Sequence, residues 1–129
     1  MDYTVGTFSG FSVNNISLAK QFYVDRLGLE LEDDSMGLNL KLPGGGKVFI
    51  YEKPDHQPAT FTILNFVVTD IDAAMENLVG QGIEFERYDL GNGAEQDTKG
   101  VLRGRTANMG PDIAWFKDPA GNVLAILQD

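Results

Sequence analysis

The chain has 129 residues, no cysteine, ten basic and nineteen acidic side chains, and therefore a formal net charge of −9. Its length suits a single domain, and the absence of a run of about 18 apolar residues predicts no membrane span. The acidic field should repel nucleic acid and anionic membranes and attract a cationic ligand. Without cysteine there are no disulfides or thiolate sites, and without a visible leader we expect a cytoplasmic protein.

One pattern of residues occurs twice. The segments that begin at Phe11 and Phe66 share apolar residues at a constant spacing of 55 positions (66 − 11), as in Val13 and Val68. After one residue is dropped, Gly28-Leu-Glu-Leu-Glu matches Gly82-Ile-Glu-Phe-Glu. Each half is therefore predicted to contain an apolar strand, a helix, a glycine turn and an alternating strand with one polar face.

Local signals predict where the two helices begin and end. Asn14 or Asn15 should cap the first helix and Asp70 the second, because their side-chain oxygens accept hydrogen bonds from free N–H groups. Gly28 and Gly82 should end them in a left-handed conformation. Helical spacing predicts these inward-facing residues: Leu18, Phe22, Leu27, Ile71, Ala74 and Leu78.

Each half closes with a predicted hairpin, in Leu40 to Tyr51 and in Phe116 to Ile126, and both turns carry proline followed two residues later by glycine. The glycines before Lys47 lack the spacing of a phosphate loop, so we interpret them as part of this turn. A proline-rich linker covers about residues 53–60. The glycine-rich segment 89–112 is expected to be a binding loop, a lid or disordered, with a short strand near 101–106.

Two motifs carry a resemblance to a known family. Phe22-Tyr23 followed by Leu27-Gly28-Leu29, and the turn Asp118-Pro-Ala-Gly-Asn122 before an apolar strand, resemble the vicinal oxygen chelate superfamily of glyoxalase I, bleomycin-resistance proteins and extradiol dioxygenases. The resemblance covers about residues 6–128. It implies an α+β fold in one domain, with two tandem βαβββ modules at about 5–52 and 61–128. It also implies a curved, open mixed-sheet barrel around a cavity, and a homodimer.

Metal-dependent members of that family place four ligands on the first and last strands of their modules. Carried over by motif, these positions fall on Phe8, Ile63 and Ala125, and near Ile50 in the first hairpin. None of these side chains has a donor atom, so we expect no metal ion. If the strand register slips by one or two residues, the nearby polar candidates are these three: Asn65, Glu52 and Ser12.

Polar and aromatic residues near the implied cavity are candidate ligand contacts. Alternation puts Trp115 and Lys117 on one strand face, either as a stacking surface beside a cation or, for Trp115, as part of the core. Asn65 shares a face with Ile63, and its amide needs partners that a ligand or a crossing strand would supply. In the linker, Lys53 and His56 are candidate contacts, with simple exposure as the alternative for His56.

Two arginines of the glycine-rich segment complete the candidates. Arg103 and Arg105 could clamp a carboxylate or phosphate of a ligand, or pair with Asp97 and hold the loop shut.

These patterns together predict a small-molecule binding protein that uses no metal or cofactor. Phe8, Ile50, Ile63 and Ala125 would make its pocket apolar, and four residues would orient the ligand: Asn65, Glu52, Trp115 and Lys117. The alternative is a glyoxalase- or dioxygenase-like enzyme (a lyase, isomerase or oxygenase) with a displaced metal site. A third possibility is a partner-binding module whose cavity is filled by side chains.

Overall fold

The computed structural model describes residues 1–91 and 93–129, which form two compact units, Met1–Pro58 and Ala59–Asp129. Each unit has one four-stranded mixed sheet with helical structure on one face, so the predicted α+β class with two similar modules is confirmed. Neither sheet closes on itself. None of the helices in the described ranges has the length and apolar content needed to cross a bilayer.

The sheet of the first unit has the order β1-β4-β3-β2. Strands β1 and β4 are parallel, and the other neighbours are antiparallel. The strands are β1 Ser9–Val13, β2 Glu30–Asp33, β3 Leu38–Lys41 and β4 Lys47–Glu52. Helix α1, Ile16–Lys20, begins at Asn15, whose side-chain oxygen accepts the Leu18 N–H at 3.0 Å, so of the two predicted caps, Asn14 and Asn15, the structure uses Asn15.

The first helix continues as a π-helical segment, Gln21–Arg26. There the Leu27 N–H donates to the Phe22 carbonyl, five residues earlier, at 2.9 Å. The wider turn allows two adjacent residues, Phe22 and Tyr23, to be buried together. The prediction that Leu18 faces inward is wrong, because Leu18 is 45% exposed and the buried stripe runs through Ala19 instead.

The sheet of the second unit has the order β5-β8-β7-β6. Helix α2, Ile71–Gly80, is capped by Asp70, which accepts the Ala73 N–H at 3.1 Å as predicted. Strand β6 confirms the short strand expected in the glycine-rich segment. The strands are β5 Thr62–Val67, β6 Leu102–Arg103, β7 Asp112–Lys117 and β8 Val123–Gln128.

The alternating strand predicted after Gly82 is mostly absent. Within this segment only Phe85 forms a bridge, to Phe116, and the Glu86 N–H donates to the Trp115 carbonyl at 2.8 Å. Strand β6 pairs with the first half of β7. The segment after Gly82 and β6 therefore share the outer edge of β7, which leaves room for only a short contact from each.

The helices cover one face of each sheet. In the first unit the Phe11 ring lies 5.7 Å from the Tyr23 ring, and Val48 and Ile50 are fully buried on the same face. In the second unit the Phe116 ring lies 5.8 Å from the Phe85 ring on the helix side. Burial of each such side chain stabilises the unit by about 1.5–3 kcal/mol. The opposite, helix-free faces are left for other contacts.

An ionic cluster fastens the glycine-rich segment to helix α2. The Arg103 guanidinium donates to Asp72 at 2.7 Å and to Asp97 at 2.9 Å, and the Lys99 ammonium lies 2.8 Å from Asp72. Asp97 also accepts the backbone N–H groups of Lys99 and Val101, each at 2.9 Å. Of the two alternatives for Arg103, pairing with Asp97 is the one observed.

This cluster favours the charged forms of its carboxylates. The Arg103 hydrogen bonds, followed by that of Lys99, hold the pKa of Asp72 far below its ordinary value. Partial burial opposes the same change at Asp97, but the Val101 N–H and Arg103 outweigh it and lower the pKa of Asp97. A carboxyl group whose pKa is lower in the folded state stabilises that state at every pH above its pKa in the unfolded chain. This stabilisation is lost as pH falls through its pKa in the folded state.

Two glycine substitutions should move stability in opposite directions. A Cβ at Gly104 would lie 2.4 Å from the Pro111 carbonyl oxygen, whereas a Cβ at Gly80 meets nothing within 4 Å. We expect Gly104→Ala to lower the free energy of unfolding by about 1–3 kcal/mol through the clash. Gly80→Ala, in the last turn of α2, should raise it by about 0.5–1 kcal/mol. Urea unfolding measures both changes, and a stabilising Gly104→Ala would contradict the packing.

The ionic cluster should make stability depend on acid pH. Because the pKa of Asp72 is depressed, its contribution to the free energy of unfolding is present near neutrality, begins to fall as pH drops below the ordinary pKa of an aspartate, and is lost in strong acid. We expect Asp72→Asn to reduce the loss of unfolding free energy between neutral pH and pH of about 3, by an amount limited by solvent screening. Asp25→Asn, the same change at an exposed carboxylate of the first unit, is the control. Equal pH profiles for both variants would contradict this role.

Candidate functional site

A row of three side chains crosses the helix-free face of the second sheet. The strand register places Asn65 of β5 beside Ala125 of β8, and Ala125 beside Trp115 of β7. Asn65 is exposed and Trp115 is half-buried, whereas the small Ala125 between them is buried. Three positions predicted for the site are therefore brought together on one face.

The Trp115 indole is held from two sides. Its Nε1–H donates to Thr62 Oγ1 at 3.1 Å, and its ring meets the Tyr88 ring edge to face, with centroids 5.8 Å apart. Such an aromatic pair adds about 0.5–1.5 kcal/mol beyond simple burial. Partial burial, followed by the Glu86 carboxylate, raises the pKa of Tyr88, so its hydroxyl remains neutral at physiological pH. The indole is consequently a rigid surface.

Lys117 lies on the same strand face as Trp115, as alternation predicted. Its ammonium lies 3.3 Å from a Glu86 carboxylate oxygen, so its charge is locally offset. The predicted aromatic surface beside a cation is present, but the cation is already paired.

Thr62 and Tyr88 were missed by the sequence analysis. The pairing of β5 with β8 shifts register between Thr62 and Leu64, so Ile63, which is half-buried, lies at a bulge. Strict alternation along β5 would place Thr62 on the face opposite to Asn65, so it does not predict the hydrogen bond between Thr62 and Trp115. Tyr88 lies beyond the last regular pairing of its segment, where no periodicity applies.

In the first unit, the helix-free face carries a stacked aromatic pair. The Phe49 and Tyr51 rings lie 5.8 Å apart with an angle of 20° between their planes. Gly10 pairs with Phe49, so Phe49 matches Ala125 in the other unit. The expected counterpart, Ile50, instead pairs with Phe11 and is buried on the helix side. Phe8 precedes β1 and is 72% exposed.

The remaining candidates of the first unit have partners within the chain. Glu52 accepts the Ile16 N–H at 2.9 Å and so completes the start of α1. The Lys53 ammonium lies 2.9 Å from Asp55. His56 is half-buried, with its Nδ1 atom 2.6 Å from Ser12 Oγ, and this bond fastens the linker to β1.

The two arginines of the glycine-rich segment are also engaged internally. Arg103 belongs to the ionic cluster described above. The Arg105 backbone N–H donates to the buried Asp112 carboxylate at 3.0 Å, and its guanidinium lies 3.9 Å from the same group. These two arginines could therefore bind an anionic ligand only if it displaced the carboxylates that they already contact.

The residues at the implied metal positions do not fit a divalent ion. Phe8, Ile50, Ile63 and Ala125 have no donor atom, and Phe49, which matches Ala125, has none either. Across residues 1–91 and 93–129, no group of three or more histidine, cysteine, aspartate or glutamate side chains is placed to hold a metal. The side chains described at this site offer stacking, hydrogen bonds and charge.

Comparison with solved structures supports the fold. An integron cassette protein from the mobile metagenome of the Halifax Harbour sewage outfall has a TM-score of 0.68 and 21% identity, covering 98% of this chain and 100% of its own. A glyoxalase family protein from Enterococcus faecalis has a TM-score of 0.67 and 24% identity, covering 98% and 99%. TnmS3, an antibiotic binding protein from Streptomyces sp. CB03234, has a TM-score of 0.63 and 22% identity, covering 97% of each chain.

A search among curated proteins finds no significant match. The sequence model of one family does match, over residues 3–126, which is nearly the whole chain. Together with the paired βαβββ-like units, this match shows that the chain belongs to the Glyoxalase/Bleomycin resistance protein/Dioxygenase superfamily.

Proposed function

We propose that the protein binds a small organic molecule on the helix-free face of the second sheet, without a metal ion. The observation that carries this proposal is the row Asn65–Ala125–Trp115, in which Thr62 and Tyr88 fix the indole. A rigid aromatic ring and an exposed amide, separated by the small Ala125 of the intervening strand, offer stacking and a directional hydrogen bond at low entropic cost. The antibiotic binding protein of the same fold supports the same class of function.

The charge of the chain favours a cationic ligand. The net charge is −9, and the Lys117 ammonium on this face lies 3.3 Å from the Glu86 carboxylate. A positively charged aromatic molecule would gain from the surrounding field, whereas an anion would have to compete with Glu86 for Lys117. We also propose that the chain forms the homodimer that its family resemblance implies.

Metal independence has a direct test. We expect elemental analysis of the purified protein to show far less than one divalent ion per chain, because hydrocarbon side chains hold the implied ligand positions. Treatment with EDTA should then leave the melting temperature unchanged, since no binding energy of a metal contributes to folding. Stoichiometric metal, with activity on 2-oxoaldehyde–thiol adducts or catechols after metal addition, would contradict the proposal and favour the enzyme alternative.

Ligand binding at the row can be tested with a planar aromatic cation, 9-aminoacridinium, by isothermal titration calorimetry. We expect Asn65→Ala to weaken binding roughly fivefold, the value of one neutral hydrogen bond. Trp115→Ala should weaken it roughly tenfold or more through loss of the stacking surface. Asn77→Ala, the same change at an exposed position of α2, is the matched control and should leave the affinity unchanged.

Circular dichroism must show that all three variants are folded. Equal affinities of the Asn65 and Trp115 variants and the parent protein would rule out this face as the binding surface, as would the absence of any heat of binding.

A further inference from the structure

A cavity lies on the helix side of the second unit, away from the Trp115 row. It has a volume of about 720 Å³ and lies between helix α2, the segment that follows Gly82, and the part of the glycine-rich segment around Thr98. Cavities of about 300–1,000 Å³ are the size that small-molecule ligands occupy. Because Phe116 and α2 share one face of the sheet and Trp115 lies on the other, this groove is independent of the row proposed above.

The floor of the groove is apolar. Met75 and Val79 contribute from one side of α2, four residues apart, and Ile83 and Phe85 contribute from the facing segment. Met75 and Ile83 are buried, whereas Val79 is 58% exposed. The apolar surface of the groove is therefore accessible to solvent at Val79. A ligand with a hydrocarbon or aromatic portion would bury this edge on binding.

The cations at the rim are engaged by the chain itself. Arg87 donates to the backbone carbonyls of Asp97, at 2.7 Å, and Thr98. Lys99 lies 2.8 Å from Asp72, a contact that raises the pKa of Lys99, with a smaller contribution from Glu76. Neither basic side chain is therefore left to attract an anion at low cost.

The carboxylates at the rim are in the opposite situation. Among the residues that the structure describes, neither Glu76 nor Glu84 accepts a side-chain hydrogen bond or forms an ion pair, and both are exposed. They line the same cavity as the apolar floor, from opposite walls: Glu76 from α2 and Glu84 from the facing segment. We propose that this groove is a second ligand site, which binds a small amphipathic amine with its ammonium group between Glu76 and Glu84 and its apolar portion on Val79 and Phe85.

The ionic cluster gives this site a fixed wall. Arg103 and Lys99 tie the glycine-rich segment to Asp72 at the start of α2, and Thr98 and Lys99 border the groove. The wall is thus in place before a ligand arrives, which lowers the entropic cost of binding.

The test uses 2-phenylethylammonium as the probe and ¹⁵N-resolved NMR titration of the whole protein as the readout. We expect saturable shifts at the amides of Met75, Val79, Glu84 and Phe85. Glu76→Gln and Glu84→Gln should each weaken binding roughly threefold to fivefold, as expected for one exposed ion pair. The double variant should lose roughly tenfold. Both glutamates are exposed, so these variants should fold normally.

Two comparisons isolate the local charge. The neutral isostere 2-phenylethanol should bind more weakly than the cation, and 3-phenylpropionate more weakly still. Glu30→Gln removes the same charge from the first unit, where the carboxyl-bearing side chain is 70% exposed, and should leave the affinity unchanged.

Several outcomes would overturn the second site. These are equal binding of cation and neutral isostere, tighter binding of the anion, or no effect of the double variant. Shifts centred on the Asn65 amide and the Trp115 indole N–H, with none in the groove, would also overturn it while leaving the proposed function intact. Conversely, groove shifts that persist in Trp115→Ala would support the second site whatever the fate of the first.

Discussion

In each unit one hydrogen bond joins the last strand of the sheet to the start of the helix. Glu52 accepts the Ile16 N–H at 2.9 Å, and Gln128 accepts the Ile71 N–H at 3.0 Å. The first N–H groups of a helix have no partner within it, so an oxygen from the sheet satisfies a group that would otherwise cost free energy. Because side chains alternate along a strand, this contact shows which face of the sheet the helix covers, the face that also carries the buried Val48 and Ile50 in the first unit.

The same contact explains where the candidate site could be predicted from sequence and where it could not. Glu52 and Gln128 are 76 positions apart (128 − 52), as are the turn prolines Pro43 and Pro119 (119 − 43). That spacing of 76 matches Ala125 with Phe49 (125 − 76), as the structure does. The equivalence of Phe49, rather than Ile50, could therefore have been read from the sequence. Alternation along β7 correctly placed Trp115 and Lys117 on one face, whereas the position of Asn65 on that same face became visible only from the pairing of β5 with β8 and of β8 with β7.

Features set by neighbouring residues were predictable, and features set by distant contacts were not. The caps Asn15 and Asp70 act within one helical turn, so the sequence revealed both. The π-helical segment, the bulge beside Thr62 and the sharing of the β7 edge each depend on what packs against them. The simultaneous contacts of Arg103 with Asp72, Asp97 and Asp112 are of the same kind, because they require the fold of the glycine-rich segment.

The two units use equivalent positions differently. In the first, Phe49 fills the position on the helix-free face and stacks on Tyr51, and a Cβ at Gly37 would lie only 2.8 Å from its ring, so a larger residue there would displace the aromatic side chain. In the second, Ala125 leaves that position to Trp115 of the neighbouring strand. Most basic side chains of the second unit form ion pairs or hydrogen bonds with carboxylates and carbonyls of the same unit. Among the residues that the structure describes in the groove, Glu76 and Glu84 have no ion-pair partner, and theirs is the charge that the proposed cationic ligand would meet.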